Sequence, residues 1–275
     1  MLLPPKKNRR HSPAVRGQRQ ARREKADVAR NTLRMNERET IGLKRWIGIF
    51  ILAPVTFITI LTLVEMSWRL VTRHGIWQTE EFRFFGIGLL SWALMYGLAR
   101  FRPVRLYVFG HELSHAIAAL CLGGKIYKFE FTAQGGYVET NKTNTWISLA
   151  PYLIPIYSFF VMLIFGIAAC FTDLHATHLI SIFGHDLPFK FDRLFYICLG
   201  LTWAFHITYT VVALRAEQSD LTRNGEFFSI MLIAVINAVL LMLMFVSASP
   251  HPELGMAQTF RCWWGVAASL LPWSV

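Results

Sequence analysis

Residues His111-Glu112-Leu113-Ser114-His115 set two imidazoles four positions apart, with a carboxylate directly after the first. On a helix, positions i and i+4 share a face one turn apart. Both rings can then bind one metal ion, and Glu112 stands beside them as a proton acceptor for water at that ion. Zinc lowers the pKa of its water to about 7, so hydroxide is available near neutral pH. A neighbouring carboxylate can pass the proton on to a leaving amine, which is the chemistry of peptide hydrolysis. A catalytic zinc usually takes three protein ligands and keeps a fourth position for water. The third ligand must come from elsewhere in the chain. Asp220, His206, Asp192, His175, His178 and His185 are the candidates, and spacing alone does not choose among them.

The surroundings sharpen the motif. It lies within Leu106 to Leu122, a run otherwise almost entirely apolar. An ionisable side chain at bilayer depth costs on the order of 2–3 kcal/mol or more, so three together need a compensating partner, and a metal ion is the natural one. The whole chain points to lipid as its main solvent: 54% of its residues are hydrophobic and 16% charged, where a soluble domain carries about a quarter charged residues. A helix needs about 20 mostly apolar residues to cross the hydrocarbon core. Six segments fit, at 46–68, 84–101, 104–122, 146–172, 193–214 and 226–248. The expected fold is therefore an all-α polytopic membrane protein of about six transmembrane helices. Its core covers residues 46–249, and an apolar C-terminal tail at 250–275 lies at the membrane interface. Trp46, Trp68, Trp77 and Trp146 fall near segment ends, as an interfacial belt requires.

The charge is concentrated at one end. Residues 1–45 hold fourteen Lys/Arg against four acids, a balance of +10 in a chain whose total is +11. Pro4, Pro5 and Pro13 and the absence of aromatic residues there predict a disordered tail. It should stay in the cytosol and touch anionic lipid head groups. No nucleic-acid recognition motif accompanies the charge, and the pattern is not that of a signal peptide. Arg100, Arg102 and Arg105 then fall in an inside loop. On this count the fifth span ends on the opposite side, just before Asp220. A plain bundle would hold Asp220 away from His111, and His206, in mid-span, fits the simple count better. Asp220 reaches the metal if the metal helix is short and deep, or if 214–226 folds back into the bundle, where polar backbone can line a cavity. Cys121, Cys170, Cys198 and Cys262 form no CxxC pair and read as small core residues.

Two further segments bear on the site. Residues 125–140, KIYKFEFTAQGGYVET, alternate polar and apolar around Gly135-Gly136, predicting a small β-hairpin-like insertion after the HExxH helix. Its edge strand could pair with an extended peptide. Pro151 and Pro155, four apart in ISLAPYLIPIY, each remove an amide donor and can kink the fourth span, widening a cleft beside the metal.

The string VFGHELSHAIAALCLGGKI resembles the site-2 protease group of membrane-embedded zinc metalloproteases, the M50 metallopeptidases. The likeness continues through GGYVETNKTNTWISLAPYLIPIY at 135–157 and FHITYTVVALRAEQSDLTRNGEFFSIMLIAVIN at 205–237, the three blocks together covering 75 of the 275 residues. The resemblance implies that His111 and His115 are zinc ligands, that Glu112 is the catalytic base, and that a distant Asp completes the metal site. Asp220, in Gln218-Ser219-Asp220-Leu221, is the matching residue, with His206 in reserve. Well-studied members carry this Asp in an Asp-Gly pair after an Asn-Pro, which this chain lacks. The implied activity is intramembrane hydrolysis of membrane-anchored proteins by a multi-pass protein of the cell membrane. Two rivals stand beside it. One is a non-catalytic membrane scaffold or transporter-like protein retaining a metal site. The other is a membrane metalloenzyme acting on a lipid or small molecule.

Overall fold

The structure, a computed structural model, describes residues 38–73, 75, 78–182, 185–216, 218–248 and 255–270. Most of the expected basic tail, Trp77 and the end of the C-terminal tail lie outside the described residues. Helix α1 spans Arg38–Thr72 and contains one π-helical turn at Gly48–Leu52. It starts eight residues before the expected span, and so carries Lys44 and Arg45 within a helix. Its buried face carries the threonines Thr56, Thr59 and Thr62, followed by Met66 and Leu70. Thr59 and Thr62 return their hydroxyls to carbonyls one turn back, while Thr56 donates to Met231 O at 3.3 Å.

Helices α2 (Glu80–Gly97) and α3 (Val104–Cys121) follow. A hairpin comes next, β1 (Ile126–Thr132) antiparallel to β2 (Gly135–Thr140). The expected hairpin is present, but its tip is Ala133–Gln134; Gly135 and Gly136 open the second strand. The segment expected as the fourth span is broken. Helix α4 (Thr145–Leu153) and helix α5 (Ile156–Ala169) meet at 71° across Ile154-Pro155. Pro155 has no N–H to continue the ladder and stands as the N-cap of α5. A second hairpin, β3 (His178–Ile182) with β4 (His185–Phe189), has no counterpart in the sequence reading. Helix α6 (Phe191–Arg215) leads to the short helix α7 (Ser219–Asn224), then α8 (Glu226–Ala248) and α9 (Met256–Ser269). Helix α9 packs on α1, where Trp263 Nε1 donates to Thr59 Oγ1 at 3.1 Å.

Among the described residues, three helices, α1, α6 and α8, are long and apolar enough to cross a membrane, or four if the bent pair α4–α5 counts as one span. The sequence reading expected six. Helix α2 falls short because Glu80, Glu81 and Arg83 occupy its first turn, and α3 because Arg105, His111, Glu112 and His115 interrupt its apolar run. Charged and polar residues within a helix thus lower the very signal by which a span is recognised. The cysteines also differ from expectation. All four are free thiols, and Cys121 and Cys170 are exposed on the helical surface rather than in the core.

Two buried clusters hold the bundle. Leu149, Tyr152 and Leu153 of α4 pack with Ala213 of α6, Leu221 of α7 and Leu232, Ile233 and Val235 of α8. Trp92 of α2 packs edge-on against Phe205 of α6, with Tyr209 beside them and Tyr107 of α3 stacked on Tyr209 at 4.5 Å. Helices α2 and α6 approach so closely at Gly88 and Gly200 that each glycine faces the other helix's backbone: Gly88 faces the Ile197 carbonyl and Gly200 the Phe85 carbonyl. Arg193 clamps the end of the pair, donating to both carboxylate oxygens of Glu80 at 2.9 and 3.3 Å. A methyl group at position 88 would overlap the Ile197 carbonyl, whereas one at Gly86, in the same helix, meets open space. Gly88→Ala is therefore expected to destabilise by about 1–3 kcal/mol. Gly86→Ala should be neutral or stabilising by up to about 1 kcal/mol. Thermal unfolding of the two variants in the same detergent measures the difference.

Candidate metal centre

Helix α3 supplies the first two groups. His111 and His115 lie one turn apart on it, and their Nε2 atoms approach to 3.3 Å. The third group comes from α7. Asp220 Oδ2 lies 3.5 Å from each of those Nε2 atoms. Among the described residues this is the one group of three His, Cys, Asp or Glu side chains whose ligand atoms all converge within 4.8 Å, a spacing that could hold a metal ion. The side chains are only 11%, 15% and 24% exposed, so water does little to screen them.

Each ligand is oriented by a neighbour. His115 Nδ1 lies 2.7 Å from the carbonyl oxygen of Ile147 in α4. A carbonyl only accepts, so Nδ1 carries the hydrogen and Nε2 turns its lone pair toward His111 and Asp220. The Tyr107 hydroxyl lies 3.4 Å from His111 Nδ1. Tyr152 is buried to 1% exposure, with its ring against the His111 imidazole and its hydroxyl 3.5 Å from Asp220 Oδ2.

Asp220 arrives by the second of the two routes open to the sequence. The chain does not pass straight from α6 to α8; residues 218–225 fold back, and α7 lies against α4 and α8. Leu221 anchors α7 in the core. Gly225 makes the exit turn at φ +87°, a region that favours glycine, and Ser229 Oγ of α8 donates to the carbonyls of Leu221 and Gly225 at 3.2 and 3.0 Å. Asn224 is the hub of this corner. Its amide nitrogen donates to Asp220 O at 3.0 Å, and its Oδ1 accepts from Lys44 Nζ at 2.7 Å and Thr145 Oγ1 at 2.9 Å. The helix carrying the carboxylate is thereby tied to both α1 and α4.

The other candidates lie elsewhere. His206 is 8% exposed, lines the small cavity beside His111, and its Nε2 donates to Asn237 Oδ1 at 3.2 Å. It is a buried polar residue held within the bundle, and not a member of the converging group. His175 pairs with Asp192 at 3.0 Å on the outside. His178 packs its ring on Phe191, and the His185 side chain lies outside the described residues.

Glu112, 7% exposed, sits on α3 beneath the first hairpin. Phe109 of the same helix packs edge-on against Phe129 and Phe131 of β1, which presses the hairpin down. Gly136 of β2 crosses directly over Glu112: a methyl group there would lie 2.7 Å from Glu112 Cγ and 2.6 Å from Glu130 O. Sequence reading assigned Gly136 to a turn; its requirement is space. Lys44 and Asn224 went unread. The Asp220/Asn224 spacing of four was visible, but nothing in the sequence pairs Lys44 with a residue 180 positions away.

A scan against protein-family models gave no match, and searches of curated proteins and of solved structures gave none either.

Replacing His111, His115 or Asp220 with Ala is expected to remove bound metal, while His206→Ala should retain it. Elemental analysis of protein purified in detergent without chelator measures this. Equal metal loss in His206→Ala would move the site toward α6.

Proposed function

We propose that this protein is an intramembrane zinc metalloprotease, with His111, His115 and Asp220 as metal ligands and Glu112 as catalytic base. The convergence of two imidazoles and a carboxylate beside a buried glutamate on one helix carries the reading. Three ligand atoms on a tetrahedral zinc, at about 2.0–2.1 Å from the ion, lie about 3.3–3.4 Å from one another. The separations here are 3.3, 3.5 and 3.5 Å, so the donor set fits that ion without rearrangement. The likeness of the three sequence blocks to the site-2 protease group points the same way.

Bound zinc supplies Lewis acidity, making water available as hydroxide near neutral pH and polarising a carbonyl. The protein's own groups do the rest. Glu112 takes the proton from the attacking water and delivers it to the leaving nitrogen. Tyr152 and Tyr107 hold Asp220 and His111 in register. The cavity lined by His111, Ser114, Pro151, Tyr152 and Tyr157 measures about 30 Å³, room for a water molecule. The substrate is a membrane-anchored protein, and its extended segment adds to an outer edge of the β1–β2 hairpin as strands do at open sheet edges. The protein works in a cell membrane with its basic N-terminal tail in the cytosol, against anionic head groups.

The decisive experiment pairs metal analysis with cleavage of a transmembrane peptide. Glu112→Gln should keep its metal and lose about 10²–10⁴-fold in turnover; undiminished turnover sinks the assignment, and a protein that never cleaves peptides is the scaffold or lipid-acting alternative. Gly136→Ala should also keep the metal while lowering turnover, because its methyl group displaces the Glu112 side chain or lifts the hairpin from α3.

A further inference from the structure

Pro151 stands in the interior of α4, where proline ordinarily costs about 3 kcal/mol because it removes an amide donor and its ring crowds the carbonyl four residues back. That carbonyl belongs to Ile147. In an uninterrupted helix it would accept from the amide of residue 151. Here no such amide exists, and the Ile147 carbonyl accepts instead from His115 Nδ1 of α3, at 2.7 Å. Ile147 is 3% exposed, so no solvent could replace the missing donor, and an unpaired carbonyl at such a position is costly. The other polar atom of the same residue is also held by a side chain: Ile147 N donates to Asn144 Oδ1 at 2.9 Å, the N-cap of α4. The first turn of α4 is thus fixed at both backbone polar atoms of Ile147, which belong to adjacent peptide planes.

We propose that Pro151 is a positioning residue of the metal centre: by withholding an amide it dedicates the Ile147 carbonyl to His115, which sets the imidazole tautomer and orientation that expose Nε2 to the cation. The proposal rests on the metal-site reading above and adds a residue that touches neither metal nor substrate. It assigns the two prolines different duties. Pro155 breaks the helix between α4 and α5, while Pro151 acts through a hydrogen bond made by another helix. Restoring the amide lets the helix reclaim the carbonyl and weakens its bond to His115. Outer-shell partners of ligating histidines of this kind are worth about 10–100-fold in metal affinity.

The test uses the full chain in detergent, with zinc alone titrated against a chelator of known affinity. Pro151→Ala is expected to weaken zinc binding about 10–100-fold. Pro155→Ala, which leaves Ile147 untouched, should bind as the unaltered protein does. The α-hydroxy analogue of alanine at position 151 puts an ester where the amide would be; it lacks the N–H and should recover most of the affinity. Nitrogen-15 resonances of His115 in metal-free protein give a second readout: a single Nδ1–H tautomer in the unaltered protein, and a mixture in Pro151→Ala. Unchanged affinity and an unchanged tautomer in Pro151→Ala overturn the proposal. So does an ester variant as weak as the alanine variant, since the ring's packing and not the missing donor would then be responsible. Unaltered protein that takes up no zinc refutes the metal site instead, and the tautomer comparison still decides the role of Pro151.

Discussion

Two imidazole nitrogens and a carboxylate oxygen, all electron-rich, face one another across 3.3–3.5 Å in a largely buried corner of this bundle. Such groups repel unless positive charge lies between them, and in a weakly screened interior the repulsion is strong. The rest of the local structure can be understood as the means of holding them together. The core of α4, α6, α7 and α8 supplies the force, since burial of Leu149, Leu153, Leu221 and Ile233 fixes the α7 segment against its neighbours. Hydrogen bonds from Asn224 and Ser229 supply direction. A cation held between them would convert the juxtaposition from a liability into a bond.

Irregular backbone concentrates around this corner. The α4–α5 break and the fold-back at 218–225 interrupt a straight helical path, and the first hairpin lies over Glu112. In lipid, broken backbone is tolerated only where protein or a cavity satisfies it. The break and the fold-back meet that condition by named partners: the Ile147 carbonyl by His115, the Gly225 and Leu221 carbonyls by Ser229, and the Tyr152 carbonyl by Asn237 at 2.9 Å. The hairpin strands pair with each other.

The HExxH pair was legible because helical spacing is a local rule: residues four apart share a face whatever the tertiary fold. The hairpin was legible for the same reason, from alternation over a few residues. Asp220 was legible only through resemblance, since its approach depends on a fold-back that periodicity does not encode. Three or four of the six expected spans meet the length and apolarity of a free-standing span among the described residues, because α2 and α3 carry charged and polar residues that lower theirs. Cys121 and Cys170 were misread because an apolar neighbourhood in sequence is also what a lipid-facing surface looks like. Long-range hydrogen bonds such as Lys44 to Asn224 leave no trace in a single sequence, because the residues share neither period nor motif.

That last contact joins distant parts of the chain. Lys44 belongs to the first helix, which continues from the densely cationic N-terminal region, and it grips the same asparagine that steadies the carboxylate's helix. Displacing α1 strains that grip and, with it, the seat of Asp220. Linkage is symmetrical. Whatever the proposed lipid contact of this region would contribute to occupancy of the proposed metal site, occupancy would return in equal measure to that contact.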